Sequence, residues 1–225
     1  MGQGISEVLT FAVGVAISPA AIISVILILF SRRARINGPL FLLGYVVSLG
    51  VLVGVVYAIS DQSNAGSSNT SSDSVSWLKI GLGVSFLLLA RRDWRKRPEP
   101  GVERPMPKWM TRIDGLTPPQ SFGLGAALGA VNPKNLALSI GAAAGVAQLN
   151  LSTADDVVSL VVFVGVGSLS IAGPVIYHQL GGEKATTKLT ELKDWLGQHN
   201  DAVMAVLFLV FGVALIAKGL APLTK

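Results

Sequence analysis

Six apolar runs separated by short polar segments direct this chain across a lipid bilayer. A helix needs roughly 20 mostly apolar residues to cross the hydrocarbon core. Such runs occupy residues 8–30, 38–59, 75–90, 121–149, 157–180 and 202–220. With 51% hydrophobic and 14% charged residues among 225, the apolar content exceeds what one soluble core uses. The predicted fold class is therefore an all-α membrane protein of about six transmembrane helices. The third run is short, and the fourth is too long for one upright span, which predicts a tilt, a break or a re-entrant segment.

The charges between the runs predict orientation. Arg32, Arg33 and Arg35 follow the first run, and eight basic residues between Arg91 and Arg112 follow the third. Both segments are expected in the cytoplasm, whereas segments 60–76 and 150–156 hold no Lys or Arg and are expected outside. Both termini then also fall outside, with Lys218 and Lys225 as a mild conflict. This distribution explains the net charge of +5 without a nucleic-acid partner. The N-terminal MGQGISEVLT lacks a basic n-region and is expected to stay on the protein.

Three regions follow: a first three-helix unit over 1–90, a basic cytoplasmic linker over 91–120, and a second three-helix unit over 121–225. In the linker, Arg91, Arg92, Trp94, Arg95, Lys96, Arg97 and Trp109 suit contact with anionic headgroups. Leu189, Leu192, Trp195 and Leu196 recur at helical spacing among charged residues, which predicts an amphipathic interfacial helix near 183–200 with Trp195 at the membrane surface. The Ser/Asn/Gly-rich connector QSNAGSSNTSSDS is expected to carry no chemistry.

The two units echo one another. VGVAISPAAII, from Val13, and GAVNPKNLALS, from Gly129, each place a polar residue and a proline inside an apolar run. A weaker echo sets GVSFLLLA, from Gly83, against GVALIAKG, from Gly212. Three spans per unit is an odd number, so the second copy crosses in the opposite sense and forms an inverted repeat.

A proline inside a helix removes a backbone hydrogen bond and clashes with the preceding turn, at a cost of ~3 kcal/mol in water. Pro19 and Pro133 suit the first turns of half-helices capped by Ser18 and Asn132, which predicts broken or re-entrant first and fourth helices. A plain proline kink is the other reading of Ser18–Pro19. Lys134, deep in an apolar run, costs ~2.5–3.5 kcal/mol to insert, so it marks a functional place. Ser18, Pro19, Asn132, Pro133, Lys134 and Asn135 are the expected substrate-binding residues, with Lys134 adding charge to a half-helix start suited to phosphate, sulfate or carboxylate. A lysine that snorkels, or that borders a hydrated re-entrant tip, is the alternative.

Other ionisable groups, Glu7, Lys79, Asp155, Asp156 and His178, fall near span ends. Glu7 and the Asp155–Asp156 pair read as solvated helix-start carboxylates. Tyr45, Ser48, Ser168 and Ser170 are candidates to line the space between the units. Gly44, Gly50, Gly54, Gly165, Gly167 and Gly173 read as packing surface, with a homo-oligomer as one use of it.

The proline-broken first helix and the Asn132-Pro133-Lys134 motif resemble the lysine-exporter (LysE) superfamily. Within it, the likeness is to the actinobacterial GAP family of peptidoglycolipid-addressing proteins, which includes the sulfolipid-addressing Sap proteins. The resemblance spans nearly the whole chain. It implies export of large envelope lipids or glycolipids across the bacterial plasma membrane, in some members beside lipid-synthesis or lipid-export machinery. Amino-acid exporters of the superfamily carry a PGP-like motif in the first helix, where this chain has Ala16-Ile17-Ser18-Pro19-Ala20.

The function expected from both lines is a secondary-type transporter that exports or flips an anionic lipid. A small-solute exporter and a non-transporting scaffold for lipid synthesis are the rivals. No cysteine and no P-loop occur in the sequence, and no nucleophile, acid/base pair or ligand set gathers at one place, so neither an enzyme nor a cofactor is expected.

Overall fold

The computed structural model describes residues 2–65, 70–96, 113 and 115–221. Arg97, Trp109, most of the basic linker, the middle of the Ser/Asn-rich connector and Lys225 lie outside the described residues. The described chain is all-α: α1 (Gly2–Ala16), α2 (Pro19–Leu29), α3 (Ala34–Ala65), α4 (Thr70–Lys96), α5 (Pro118–Ala126), a π-turn (Ala127–Val131), α6 (Pro133–Ala147) and α7 (Thr153–Leu220).

Three stretches are long and apolar enough to cross a membrane singly: Ala34–Ser60, Thr153–Gly181 and Lys184–Leu220. The pair α1 and α2, bent by 56° at its break, passes the same test when taken together, as a broken span or a re-entrant loop. As one straight rod, the 68 residues of α7 would extend ~100 Å. Instead the helix doubles back: a side chain at Gly4 would meet Ser159, while Lys218 reaches Glu7. Its outgoing arm, Thr153–Gly181, and returning arm, Lys184–Leu220, thus begin and end beside the start of α1.

Packing of named residues orders the remaining passes. Along the outgoing arm, Gly167 lies against Val15 and Ser170 bonds Ala16, so α1 and this arm run in the same direction. Gly125 lies against Phe41 and Gly129 against Tyr45, so α5 and α3 also run together. The returning arm is antiparallel to α4, with Gly83 on Gly212, Gly219 on Ser76, and the Phe86 and Phe208 rings edge to face at 5.1 Å. The chain therefore passes six times between two ends. Glu7, Lys79, Asp156 and Lys218 mark one end; Arg33, Arg92 and Asp201 mark the other.

Nine of the eleven residues of α2 and twelve of the fifteen of α6 are buried, so these half-helices form the centre of the bundle. The small residues Gly141, Ala142, Ala143, Ala144, Gly145 and Ala147 let neighbouring helices close around α6. By contrast, Leu43, Val47, Val51, Val55 and Ile59 form an exposed stripe at four-residue spacing along α3, and Val206, Val210 and Val213, four and three residues apart, form another on the returning arm. Apolar stripes of this extent suit lipid rather than water, and the chain is a membrane protein.

The glycines of the second and fifth passes divide. Gly44 and Gly167 meet neighbouring helices, whereas Gly50, Gly54, Gly165 and Gly173 face open space. The amphipathic stretch is helical and continuous with the last crossing. It buries Ala185, Leu189 and Leu196 and leaves Leu192 and Trp195 exposed. Arg91, Arg92, Trp94, Arg95 and Lys96 are exposed at the end of α4.

Two expectations about charge need correction. Asp156 is 4% exposed rather than solvated, and Tyr57 Oη donates to its Oδ2 at 2.8 Å. Glu7 is not a free helix-start carboxylate, because Lys218 and Lys79 both reach it.

Candidate functional site

Both broken helices break where sequence placed a polar residue before proline. In the first, Ser18 has φ −125° and ψ 88°, and Pro19 opens α2 at its first turn. Proline at that position sacrifices no intrahelical bond, since the amide there has no partner in any helix. Ser18 is 1% exposed and makes no side-chain capping bond to α2. In the fourth, the π-turn ends at Asn132, whose extended backbone (φ −61°, ψ 119°) starts α6, and Asn132 Oδ1 accepts from the Lys134 amide at 3.0 Å.

A helix that stops mid-bundle leaves carbonyls without intrahelical partners. At the end of α1 they are met from across the molecule. Lys134 Nζ donates to Gly14 O at 2.6 Å, Ile17 O at 2.8 Å and, more weakly, Val15 O at 3.4 Å. Ser170 Oγ donates to the remaining Ala16 O. A cation at a helix C-terminus also complements the negative end of the helix dipole. Lys134 is 1% exposed, so its charge is held in the protein interior by these carbonyls.

Asn135 does the corresponding work for its own half. Its Nδ2 donates to Leu128 O at 3.0 Å and Gly129 O at 3.3 Å, the carbonyls loosened by the π-turn, and contacts Tyr45 Oη at 3.1 Å. Gly129 has no room for a side chain, because a Cβ there would lie 2.9 Å from Tyr45 O. The Asn132–Asn135 segment therefore braces both breaks at once: Lys134 reaches across to α1, and Asn135 turns back on the π-turn.

The six expected substrate-binding residues divide accordingly. Ser18, Pro19, Asn132 and Pro133 are where the two half-helices start, as expected. Lys134 and Asn135 point their donors at backbone carbonyls rather than at an open anion site. Polar capacity does remain beside them: Asn135 Oδ1 and, one turn on, Ser139 Oγ are buried with no hydrogen-bond partner among the described residues, as is Ser168 Oγ on the outgoing arm. Tyr45 and Ser170, expected only as lining, make direct contacts to the breaks. Sequence reading missed the role of the α1 carbonyls, since backbone acceptors leave no mark on residue identity.

Asn135→Leu keeps the volume of this side chain but removes its donors. It is expected to destabilise the bundle by about 2 kcal/mol, because buried carbonyls then lack partners. Tyr45→Phe, which removes one contact only, is expected to cost about 1 kcal/mol or less. Thermal unfolding of the two variants in one detergent checks the order.

A family model described as Sap, sulfolipid-1-addressing protein, matches residues 8–221. No curated protein and no solved structure matches the chain.

Proposed function

Since the chain belongs to the Sap, sulfolipid-1-addressing protein family, we propose that it is a secondary-type transporter carrying an anionic envelope lipid or glycolipid outward from the cytoplasmic leaflet. The observation that carries this reading is Lys134, a buried cation whose partners among the described residues are carbonyls at a helix break in the middle of the bundle. A charge placed in lipid at a cost of ~2.5–3.5 kcal/mol has a use there, and carbonyls are acceptors that a phosphate, sulfate or carboxylate can replace. An arriving headgroup takes the ammonium, α1 loses its cap, and the break becomes free to hinge. Acyl tails stay in the lipid.

The moving parts in this proposal are two inverted three-helix halves, 1–90 and 121–225. The packing supports that symmetry. Exchanging the halves turns the α1 pairing with the outgoing arm into the α5 pairing with α3, and returns the α4 pairing with the returning arm to itself. One pairing breaks the symmetry. At the Glu7 end α1 packs along α6, through Phe11 on Gly141 and Gly14 on Leu138, while α2 and α5 make no comparable interface at the other end. The proposed resting state is thus shut at the Glu7 end. Exposed Arg32, Arg33, Arg35, Arg91 and Arg92 gather at the opposite end, which we place in the cytoplasm of a bacterial plasma membrane, with both termini outside. We also propose membership of the lysine-exporter superfamily, with the Ala16–Ala20 segment arguing against an amino acid as substrate.

Mass spectrometry of lipids retained by the gently solubilised protein, compared with a Lys134→Ala variant at matched yield, tests this function. One anionic lipid enriched in the first and lost in the second is the expected result. Bulk lipid in both preparations would overturn the reading. A scaffold without transport is the second reading, favoured by the fact that every Lys134 donor already has a carbonyl. It predicts no wild-type-dependent movement of an anionic lipid between leaflets in proteoliposomes.

A further inference from the structure

At the end of the bundle away from the arginines, three charged side chains from three passes meet. Glu7 lies on α1, Lys79 on α4 and Lys218 on the returning arm of α7. Lys218 Nζ donates to Glu7 Oε2 at 2.6 Å, approaches Glu7 O at 3.3 Å and sits 4.8 Å from the Phe11 ring centroid. This is a well-made ion pair with a cation–π contact. Lys79 is different. Among the described residues its one hydrogen bond is to Glu7 Oε1 at 3.5 Å, although its side chain is 9% exposed. An ammonium has three protons to donate, and removal from water makes each unmet donor costly. Among the described side chains, two ammonium groups meet one carboxylate in this partly buried place, which leaves one positive charge in excess. Gly145 of α6 faces the carboxylate, and a Cβ there would lie 2.5 Å from Glu7 Oε1, so Gly145 provides the space that the carboxylate fills.

We propose that Lys79 and Lys218 form a second anion-binding site, which takes a phosphate or sulfate group and for which Glu7 is the resident competitor. The anion bridges the two ammonium groups. Lys218, 29% exposed on its side chain, forms the open rim, and Lys79 forms the inner wall. The carboxylate of Glu7 satisfies Lys218 well and Lys79 poorly, so an added anion gains most at Lys79. This site is independent of Lys134, and its substitutions leave the helix breaks untouched. The same chemistry is offered by a lipid headgroup and by a free inorganic anion.

The test is thermal unfolding of the full chain in neutral detergent against sodium sulfate, at ionic strength held constant with sodium chloride. The wild-type midpoint is expected to rise saturably. Lys79→Met is expected to weaken the apparent affinity about tenfold, the factor that ~1.4 kcal/mol corresponds to. Glu7→Gln, which removes the competitor and frees both lysines, is expected to tighten it by a similar factor. Opposite signs for the two variants keep the proposal testable if either one is poorly folded. Phosphatidylglycerol in phosphatidylcholine nanodiscs provides the second arm. Sulfate affinity lowered by that lipid identifies a headgroup site, and sulfate affinity unchanged by it identifies a site for free anions; both support an anion site. A wild-type midpoint that does not saturate, or one that responds equally in Lys79→Met and Glu7→Gln, overturns it.

Discussion

Lys134→Met is expected to destabilise the folded bundle by about 3 kcal/mol or more, since hydrogen bonds from a charged donor contribute ~1.5–3 kcal/mol each and two short ones are lost. The sign of the effect is decisive. A lysine that merely waits for an anion is an unpaired charge in a membrane interior, and replacing it with Met would stabilise the protein by up to ~2.5–3.5 kcal/mol. A lysine that caps α1 leaves Gly14 O and Ile17 O stranded when it is removed. Equilibrium unfolding by added sodium dodecyl sulfate, compared for wild type and Lys134→Met, reads the sign directly. A stabilised variant would remove the cap from the mechanism. In the proposed cycle the same substitution also abolishes retention of the anionic lipid, so stability and lipid binding fall together.

The second large effect concerns the contact of α3 with α5. Gly44 and Gly125 face each other's helix backbones: a Cβ on Gly44 would lie 2.9 Å from Phe122 C, and one on Gly125 would lie 2.9 Å from Phe41 C. Backbone cannot swing aside as a side chain can, so any substitution pushes the helices apart and loosens Asn37, Tyr45 and Ser121 with them. Asn37 Nδ2 bonds Leu116 O at 2.9 Å, and Ser121 Oγ bonds Asn37 O at 2.7 Å, both across this interface. Gly125→Val is expected to cost about 3 kcal/mol or more. The control is Gly50→Ala on the same α3, where nothing lies within 4 Å. That change is expected to be neutral or to stabilise by up to ~1 kcal/mol, because alanine is the better helix former. Unfolding midpoints and monodisperse yield in detergent check both.

Much of the architecture was legible in the sequence, and for definite reasons. Length of apolar run fixes whether a helix can cross a bilayer, so the spans in α3 and in the two arms of α7 were visible before any contact was known. Ser18-Pro19 and Asn132-Pro133 marked the breaks because proline tolerates few positions in a helix, and at the second a polar cap, Asn132, selects the position; Ser18 makes no such capping bond. Lys134 stood out because charge inside an apolar run is rare for energetic reasons. Less legible were lengths and continuity. The third run was read as short, yet α4 extends over Thr70–Lys96, since polar residues at a helix end cost nothing once they leave the hydrocarbon. The π-turn before Asn132 had no counterpart in the sequence pattern, because its residues, ALGAV, suit an ordinary α-helix equally well.

The sequence by itself determined that this is an all-α membrane protein, where its helices break, and which buried cation needs a partner. Only the tertiary structure decided who the partners are. The acceptors of Lys134 are backbone carbonyls some 117–120 residues away, and those of Lys79 and Lys218 converge on Glu7 from passes 72 and 211 residues distant. Local patterns report periodicity and the cost of burial, which depend on near neighbours in the chain. Pairing depends on which faces close on one another, and that is set by the small residues of α6 and by the glycines that let α3 meet α5.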